Sequence, residues 1–346
     1  MKGIIKTKKD SGYVSLEEIE TPKLTNDHEV MVQIHSAAIC GSDLHAYEYI
    51  SSYQDFMKIP VVLGHECSGV VVETGPSVTE FRIGDRVMGE SNVYCGKCRN
   101  CRTGNTHVCE YNLMRGLTTD GVMREYVPFL EQNLHHVPSN LTFNEAAAAQ
   151  AATVSVHGVL RRFNINAGST VVVTGVGIIG LVAAQLARLC GATNVIVAGT
   201  NADMETRVPI AQELGFRTLN CQFEPIDEFL KNKIECNGAD YVLECSGASS
   251  AINAIPTYLR KGGEALLLGL PGKDVSFPFA DIIRSEINIR TTYTSTWQDY
   301  EDTLRLLSNN NISISPMLKE YSLDDVKGAF EAGLSKEVLK PVFNFL

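Results

Sequence analysis

Long apolar segments are missing from this sequence. No stretch approaches the ~18 uninterrupted apolar residues of a membrane span. Residues 1–24, MKGIIKTKKDSGYVSLEEIETPKL, also lack the apolar core of a secretory signal peptide. A membrane protein and an exported protein are therefore both disfavoured. The sequence predicts a soluble protein of the cytoplasm with no membrane partner.

Basic charge is scarce as well. Across 346 residues there are 30 Lys and Arg against 40 Asp and Glu, which gives a formal net charge of −10. A field of this sign repels phosphate backbones, and no run of Lys or Arg supplies a local basic patch. We therefore expect no nucleic-acid partner.

The texture of the chain changes along its length. Residues 1–150 are rich in short β-branched runs broken by Gly, Pro and Asp, which is typical of short strands joined by turns. From about residue 154, strands such as STVVVTG (169–175) alternate with helical patterns, and this predicts a parallel sheet. A short tail follows from about residue 290. The fold class is a two-domain α/β protein, with one domain inserted into the other.

A glycine-rich turn follows the first strand of the α/β part. The segment VVVTGVGIIG carries Gly175, Gly177 and Gly180 in a G-x-G-x-x-G pattern, with Ile178 and Ile179 opening the next helix. A strand precedes the motif, and a small-residue helix and a second strand follow it, as a dinucleotide-binding turn requires. The alternative is a turn that needs glycine for packing only. We expect the dinucleotide site.

The end of the second strand departs from the simple NAD fingerprint. Gly199 stands where Asp or Glu usually binds the ribose hydroxyls. Thr200 and Arg207 could bind a 2′-phosphate there, while Asp203 or Glu205 could fold back onto the ribose. The loop favours NADP slightly over NAD and decides neither.

Four cysteines lie close together in YCGKCRNCRTGNTHVC (94–109). They are Cys95, Cys98, Cys101 and Cys109. Such spacing suits a tetrahedral zinc site, and four thiolates leave that metal no position for a substrate. A disulfide framework is the weaker interpretation without an export signal. An iron–sulfur cluster is also weaker, because no ferredoxin-like pattern surrounds the cysteines. We expect structural zinc.

A sparser set of candidate metal ligands lies upstream. The segments AICGSDLH and VVLGHECSG supply Cys40, Ser42, Asp43, His45, His65 and Glu66. A cysteine, a histidine and an acid could form an open zinc site with one free position. Spacing alone leaves another interpretation open, in which these are a buried cysteine and two unrelated turn residues.

These motifs together resemble the zinc-dependent medium-chain dehydrogenase/reductase superfamily. GHECSGVVVETGPSV resembles its zinc signature, and CGSDLH, IGDRV, the cysteine lobe and VTGVGIIG occur in the family's order. The resemblance covers essentially the whole chain and looks closest to the polyol (sorbitol-type) and L-threonine dehydrogenase branch. It implies a GroES-like catalytic domain from residues 1–153 and 291–346, with a zinc lobe at about 90–115. It also implies a Rossmann NAD(P)-binding domain from residues 154–290.

The resemblance also implies roles for the site residues. By position, Cys40, His65 and Glu66 match the ligands of a catalytic zinc. Asp43 matches the carboxylate that orients the ligand histidine, and Ser42 and His45 match the relay for the alcohol proton. The implied chemistry is reversible oxidation of a secondary hydroxyl to a ketone, with two zinc ions per chain and NAD or NADP as hydride acceptor.

One position breaks the family pattern. The polyol branch has an acid on or near the zinc, at the start of the helix that reads here QAATVSVHG, and this chain has Gln150. An amide can contact a zinc ligand or water but brings no negative charge. We therefore expect the metal to be a stronger Lewis acid, at some loss of affinity.

The substrate is a small alcohol or polyol whose identity the sequence does not decide. Tyr47, Tyr49, Tyr293, Thr296 and Trp297 could form pocket walls or could be packing residues, and we weigh the two equally. L-threonine 3-dehydrogenase is the alternative function. A non-catalytic dinucleotide-binding redox sensor that keeps only the structural zinc is a further one. The resemblance suggests a homo-oligomer, either a dimer or a tetramer.

Overall fold

The structure is a computed structural model that describes all residues from 1 to 346. The chain forms two compact units. Unit 1 contains Met1–Ala151, Thr296–Asn310 and Met317–Leu346, and unit 2 contains Ala152–Ser295 and Asn311–Pro316. The boundaries predicted from the sequence lie at 153/154 and 290/291, and the short segment of the tail that joins unit 2 was not predicted.

Eighteen strands form the sheets of the two units. In chain order they are β1 (Lys2–Lys6), β2 (Val14–Glu18), β3 (Glu29–Ala38), β4 (Val61–Val62), β5 (Glu66–Thr74), β6 (Arg86–Gly89), β7 (Asn92–Val93), β8 (Leu113–Met114), β9 (Tyr126–Leu130), β10 (Leu134–His136), β11 (Thr170–Thr174), β12 (Asn194–Gly199), β13 (Arg217–Asn220), β14 (Ala239–Glu244), β15 (Leu259–Leu267), β16 (Asn288–Thr291), β17 (Leu318–Tyr321) and β18 (Lys340–Asn344).

Eleven α-helices accompany them. They are α1 (Gly41–Glu48), α2 (Ser51–Gln54), α3 (Arg99–Arg102), α4 (Phe143–Val156), α5 (Ile178–Leu189), α6 (Arg207–Glu213), α7 (Ile226–Phe229), α8 (Ser249–Tyr258), α9 (Phe279–Arg284), α10 (Trp297–Ser308) and α11 (Val326–Leu334). No helix is long and apolar enough to cross a bilayer.

Unit 1 is built on a mostly antiparallel sheet. Its strand order is β10-β6-β5-β3-β18-β17, and β9 pairs with the other part of β3. The tail strand β18 pairs with β3 with Val342 opposite Ala38, so a strand from the end of the unit completes a sheet that begins near residue 30. Apolar side chains of β3, among them Val30, Val32 and Ile34, are fully or almost fully buried. This core fixes the end of β3 and the start of β5, beside which the candidate ligands Cys40, His65 and Glu66 lie.

Unit 2 contains a parallel six-stranded sheet with the order β13-β12-β11-β14-β15-β16. Every residue of β11, TVVVT, is buried, as expected for a strand that helices cover on both faces. The strand order reverses between β11 and β14, and this switch point is where parallel α/β sheets bind ligands.

One predicted helix of unit 2 is shorter than its pattern suggested. The pattern AINAIPTYLRKGG predicts a single helix, but α8 ends at Tyr258 and β15 begins at Leu259. Pro256 lies in the last turn and has no N–H to continue the helical bonds. Leu259 then pairs with Ala239 of β14, so sheet pairing takes the residues that local propensity assigned to the helix.

Candidate functional site

The four cysteines of the 94–109 segment form one compact cluster. The Sγ–Sγ distances are 3.4 Å for Cys98–Cys101, 3.9 Å for Cys98–Cys109 and 4.0 Å for Cys95–Cys101. A tetrahedral zinc with Zn–S bonds of about 2.3 Å sets its sulfurs roughly 3.8 Å apart. The donor atoms and their spacing therefore fit a zinc ion with four thiolate ligands.

Backbone N–H groups surround these sulfurs. The N–H of Cys98 lies 3.3 Å from Cys95 Sγ, and that of Tyr111 lies 3.3 Å from Cys109 Sγ. Hydrogen bonds from the backbone N–H groups of Cys101 and Glu110 lower the pKa of the Cys98 thiol to about 6. Backbone N–H groups also lower the pKa of Cys95, whereas burial and the neighbouring thiols raise the pKa of Cys101 to about 12. Two of the four cysteines are thus held toward the thiolate form that a metal requires.

The sparser set of predicted ligands also comes together. The donor atoms of Cys40, His65 and Glu66 lie within 4.8 Å of one another. Strand register explains this, because Ala38 at the end of β3 pairs with Glu66 at the start of β5. Cys40 lies two residues after Ala38 and is the N-cap of α1, while His65 immediately precedes β5. One thiol, one imidazole and one carboxylate form a donor set that suits zinc.

Asp43 accepts hydrogen bonds from both segments that supply the cluster. Its Oδ2 accepts the N–H of Cys40 at 2.9 Å, and its Oδ1 accepts the N–H of Gly64 at 3.1 Å. The same Oδ1 lies 3.9 Å from His65 Nδ1. With Nδ1 turned to the carboxylate, Nε2 of His65 is directed to the ligand side, 3.5 Å from Ser42 Oγ. Asp43 thus lies within ion-pair distance of the histidine in the cluster, as a carboxylate that orients a ligand histidine would.

Sequence reasoning missed Lys340. This lysine of β18 is 3% exposed, and its Nζ lies 2.6 Å from Oε1 and 2.5 Å from Oε2 of Glu66. The two residues are 274 positions apart, and neither periodicity nor a motif marks the lysine. Its ammonium therefore opposes the negative charge that Glu66 brings to the cluster.

The ionisable groups of the cluster shift one another's pKa values. Burial raises the pKa of Cys40, but His65 and Lys340 lower it further, to about 6. Burial raises the pKa of Glu66 while Lys340 lowers it, with a net value of about 8. Burial lowers the pKa of His65, but Asp43 and Cys40 raise it to about 10. The negative groups thus attract a proton to the histidine, where a metal ion would replace it.

The two residues of the predicted relay share one face of α1. Ser42 and His45 are three positions apart, which places them side by side on a helix. His45 is half-buried, and its ring meets Tyr53 edge-on at 5.7 Å. Burial lowers the pKa of His45 and Glu48 raises it less, so the imidazole is neutral at pH 7.

Gln150 is fixed by a hydrogen-bonded chain inside unit 1. Its side chain is 4% exposed, and its Nε2 donates to Ser91 Oγ at 3.1 Å. The N–H of Ser91 in turn donates to Tyr300 Oη at 3.1 Å. The amide therefore has a defined orientation within the core of unit 1.

The glycine turn of unit 2 has the geometry its motif predicts. Gly175 has φ +103°, which a residue with a side chain rarely adopts. A Cβ on Gly180 would lie 2.0 Å from the Gly175 carbonyl oxygen, so the close contact of helix and strand requires glycine there. A Cβ on Gly177 would meet nothing within 4 Å, and Ile178 and Ile179 open α5 directly after it. The turn leaves room for a pyrophosphate at the helix N-terminus.

An acid that follows β12, Asp203, bonds back to the residue directly after the strand. A Cβ on Gly199 would lie 2.7 Å from Val176 Cγ2, so a side chain at that position would require Val176 to shift. Asp203 Oδ2 instead accepts the N–H and Oγ1 of Thr200 at 2.9 and 2.8 Å. Arg207 Nη1 lies 3.8 Å from Asp203 Oδ1, with 15% of its side chain exposed.

The aromatic residues considered as pocket walls have separate surroundings. Tyr47 stacks on Phe330 at 5.1 Å in the core of unit 1, and Thr296 caps α10 through a capping box. Tyr293 of unit 2 and Trp297 of unit 1 are each 45% exposed. The interpretation as packing residues therefore holds for Tyr47.

Comparison with known proteins identifies the family. The profile of the alcohol dehydrogenase GroES-like domain matches residues 26–139, and that of the zinc-binding dehydrogenase domain matches residues 179–309. A sorbitol dehydrogenase from Halalkalibacterium halodurans is 35% identical over 344 residues, 98% of each chain. An L-threonine 3-dehydrogenase from Coxiella burnetii is 32% identical over 336 residues, 95% of each chain.

Solved structures agree. An alcohol dehydrogenase from Thermus sp. ATN1 has a TM-score of 0.88 at 26% identity, covering 99% of this chain and 98% of its own. A zinc-binding dehydrogenase from Sinorhizobium meliloti 1021 bound to NADP gives the same values. The chain belongs to the zinc-dependent medium-chain dehydrogenase/reductase superfamily, in its polyol and L-threonine dehydrogenase branch. The predicted GroES-like and Rossmann fold, and an NAD(P)-linked oxidoreductase activity, are thereby confirmed.

Proposed function

We propose that this protein oxidises a secondary hydroxyl to a ketone reversibly, with unit 1 as the catalytic domain and unit 2 as the NAD(P)-binding domain. The supporting observation is the cluster of Cys40, His65 and Glu66, whose donor atoms lie within 4.8 Å. Three protein donors leave a tetrahedral zinc one open position. The cysteine lobe leaves none, so we assign it a structural zinc, which makes two zinc ions per chain.

The chain's own residues supply the proton chemistry. Zinc bound at the cluster would polarise the substrate hydroxyl, and the bound nicotinamide would accept the hydride. Ser42 Oγ lies 3.5 Å from His65 Nε2 and accepts the hydroxyl proton at the ligand side of the cluster. Ser42 gives up its own hydroxyl proton as it takes the substrate's, and His45, neutral at pH 7, is the terminal acceptor that releases a proton to water. Asp43 keeps His65 in the tautomer that leaves Nε2 free.

The dinucleotide occupies unit 2, with its pyrophosphate at the turn from Gly175 to Gly180. We propose that NADP is accepted there at least as well as NAD, because no acid occupies position 199 and Arg207 retains some exposure. Arg207→Ala should weaken NADPH binding about tenfold by removing a charge-assisted phosphate contact. NADH affinity in that variant should stay within about twofold, and an equal loss for both cofactors would contradict the assignment.

The substrate is proposed to be a polyol or a simple secondary alcohol. One relative is named a sorbitol dehydrogenase and another an L-threonine 3-dehydrogenase. L-threonine carries a carboxylate, so its pocket would need a cationic side chain to bind it. The polyol is therefore our first choice and L-threonine the second.

A substrate panel tests this function directly. Polyols, secondary alcohols and L-threonine are offered to the zinc-loaded protein with NAD and with NADP, and reduced cofactor is followed by absorbance. Metal analysis should find two zinc ions per chain. Cys40→Ser should abolish turnover and one zinc, whereas Cys221→Ser, at an exposed cysteine, should change neither. Absence of turnover with every substrate in protein that holds two zinc ions would overturn the enzyme assignment.

Assembly and location complete the proposal. Three apolar residues of unit 2 lie along the chain between β15 and the edge strand β16. They are Leu270, Phe279 and Ile283, which are 72%, 66% and 72% exposed. Exposed apolar groups of this size beside an unpaired strand edge favour a homo-oligomer. None of the ten cysteines forms a disulfide, which suits the reducing conditions of the cytoplasm.

A further inference from the structure

Glu244 is a buried acid of unit 2 that the proposed function does not use. It ends β14, its exposure is 0%, and it belongs to no metal cluster or relay. We propose that Glu244 is a positioning residue for the dinucleotide: its carboxylate holds the Cys245–Gly247 turn in the shape on which the Gly175 turn rests. This inference rests on the proposed use of NAD or NADP.

The carboxylate collects hydrogen-bond donors from three residues. Oε1 accepts the N–H of Ser246 at 2.9 Å, the N–H of Gly247 at 3.2 Å and the hydroxyl of Thr174 at 3.4 Å. The Ser246 hydroxyl also donates to Oε1, and the Gly247 N–H lies 3.1 Å from Oε2. Two consecutive backbone N–H groups are therefore turned toward one carboxylate, and that fixes the path of the chain after β14.

The turn so formed supports the phosphate-binding turn directly. A Cβ on Gly175 would lie 3.0 Å from the Ser246 backbone nitrogen and 3.1 Å from the Cys245 carbonyl carbon. Gly180 of the same motif would place a Cβ 3.5 Å from Cys245 Cβ. A shift of the Cys245–Gly247 backbone by a fraction of an ångström would therefore move the glycine turn, because no side chain lies between them to absorb it.

The contact lies at the point where a dinucleotide binds. Thr174 and Glu244 are register partners on the adjacent strands β11 and β14, between which the strand order of the sheet reverses. Ligands of such sheets bind at the carboxyl ends of the strands at this switch point. Glu244 thus lies beneath the site, where it controls shape rather than touching the cofactor.

The chemistry requires a carboxylate rather than an amide. Every partner of Oε1 and Oε2 is a donor, and hydrogen bonds to an ionised acceptor are stronger than those to a neutral one. In Glu244→Gln the new NH2 group has to face the N–H of Gly247 or the N–H of Ser246. Donor then meets donor in a buried place, and the turn has to rearrange.

The test compares Glu244→Gln with Asp240→Asn in the full-length, zinc-loaded protein. Asp240 is the control on the same strand: it lies near the opposite end of β14, is 33% exposed, accepts the N–H of Thr170 at 2.9 Å and pairs with Arg260 at 2.7 Å. Binding of NADH and NADPH is measured by fluorescence, and binding of ADP-ribose, which has the pyrophosphate but no nicotinamide, by calorimetry. Unfolding of each variant is measured alongside.

Glu244→Gln should weaken all three ligands by about tenfold or more, while Asp240→Asn, which also loses buried or half-buried hydrogen bonds of β14, stays within about twofold. Equal losses of affinity in both variants, or none in Glu244→Gln, would overturn the inference. If Glu244→Gln does not fold, Ser246→Ala removes one donor and should weaken ADP-ribose about threefold, and unchanged binding contradicts the proposal. A wild-type protein that binds dinucleotide but turns over no alcohol contradicts only the proposed function.

Discussion

At the scale of single residues, the ion pair of Lys340 and Glu66 supports the candidate metal site. Both side chains are buried, at 3% and 0% exposure. Lys340→Met removes the ammonium that lowers the pKa of the buried Glu66 carboxyl, and breaking a buried pair typically costs about 3–5 kcal/mol. We therefore expect the free energy of unfolding to fall by about that amount in urea denaturation of the metal-free protein.

Two further variants isolate the pair. Lys319→Met removes an exposed lysine of the neighbouring strand β17 and should change stability by less than about 0.5 kcal/mol. The double variant Lys340→Met/Glu66→Gln should recover much of the loss, because no buried charge then lacks a partner. A double variant as unstable as Lys340→Met alone would show that the lysine acts through packing instead.

Gln150 gives a second prediction at this scale. The resemblance implies that position 150 lies on or near the metal, where Gln150→Glu adds a negative charge. Zinc should then be retained longer against a chelator, and the acidic limb of the pH profile of turnover should shift. Gln185→Glu, a buried glutamine of unit 2, controls for the cost of burying an acid. Unchanged zinc retention together with an unchanged pH profile would contradict the idea that position 150 tunes the metal.

At the scale of elements, a buried histidine joins β10 to α10. His135 Nδ1 lies 2.6 Å from Glu301 Oε1 and its Nε2 lies 3.2 Å from Glu90 Oε1. Its ring stacks on Tyr300 at 4.9 Å with an angle of 3°. Burial lowers the pKa of His135, but the hydrogen bonds with Glu301 and Glu90 raise it more, so the net shift is upward.

This shift predicts a stability that depends on pH. A histidine whose pKa is raised by folding stabilises the fold fully below its unfolded value of about 6.5 and loses that effect as pH rises through the folded pKa. His135→Gln should therefore cost more stability at pH 6 than at pH 9. Trp297, the only tryptophan, lies 5.3 Å from the His135 ring and reports the transition by fluorescence.

His136→Gln is the control on the same strand. His136 is exposed and stacks on Phe81 at 4.6 Å, and it acts on Glu301 less strongly than His135 does. Its substitution should therefore change the pH dependence of stability less than His135→Gln does. An equal cost for His135→Gln at pH 6 and pH 9 would mean that the imidazole is neutral between its two acids.

The sequence predicted those parts of the elements and sites that local pattern controls. The glycine turn, the cysteine lobe and the two segments with Cys40 and His65 are short motifs whose spacing carries their chemistry. Lys340, Glu301 and Glu244 could not be predicted, because each acts through a partner that strand pairing or packing brings near. The end of α8 was predicted wrongly for the same reason, because pairing of Leu259 with β14 outweighs local helix propensity.

At the scale of the whole molecule, the exposed apolar residues of unit 2 predict association. Ile283→Asp places a charge among them and should convert an oligomer to a smaller species in light scattering coupled to gel filtration. Ile83→Asp in unit 1 is a close control, since Ile83 and Ile283 are 71% and 72% exposed. An Ile283→Asp protein of unchanged mass would place the interface elsewhere.

The position of β18 along the chain has a consequence for synthesis. Glu66 leaves the ribosome long before its partner Lys340, which follows 274 residues later. At typical translation rates of about 5–20 residues per second, this interval is roughly 15 to 55 s. Throughout it, β3 has no tail strand beside it and the carboxylate has no ammonium. The pairing of Glu66 with Lys340 thus forms only after all of unit 2 has been made.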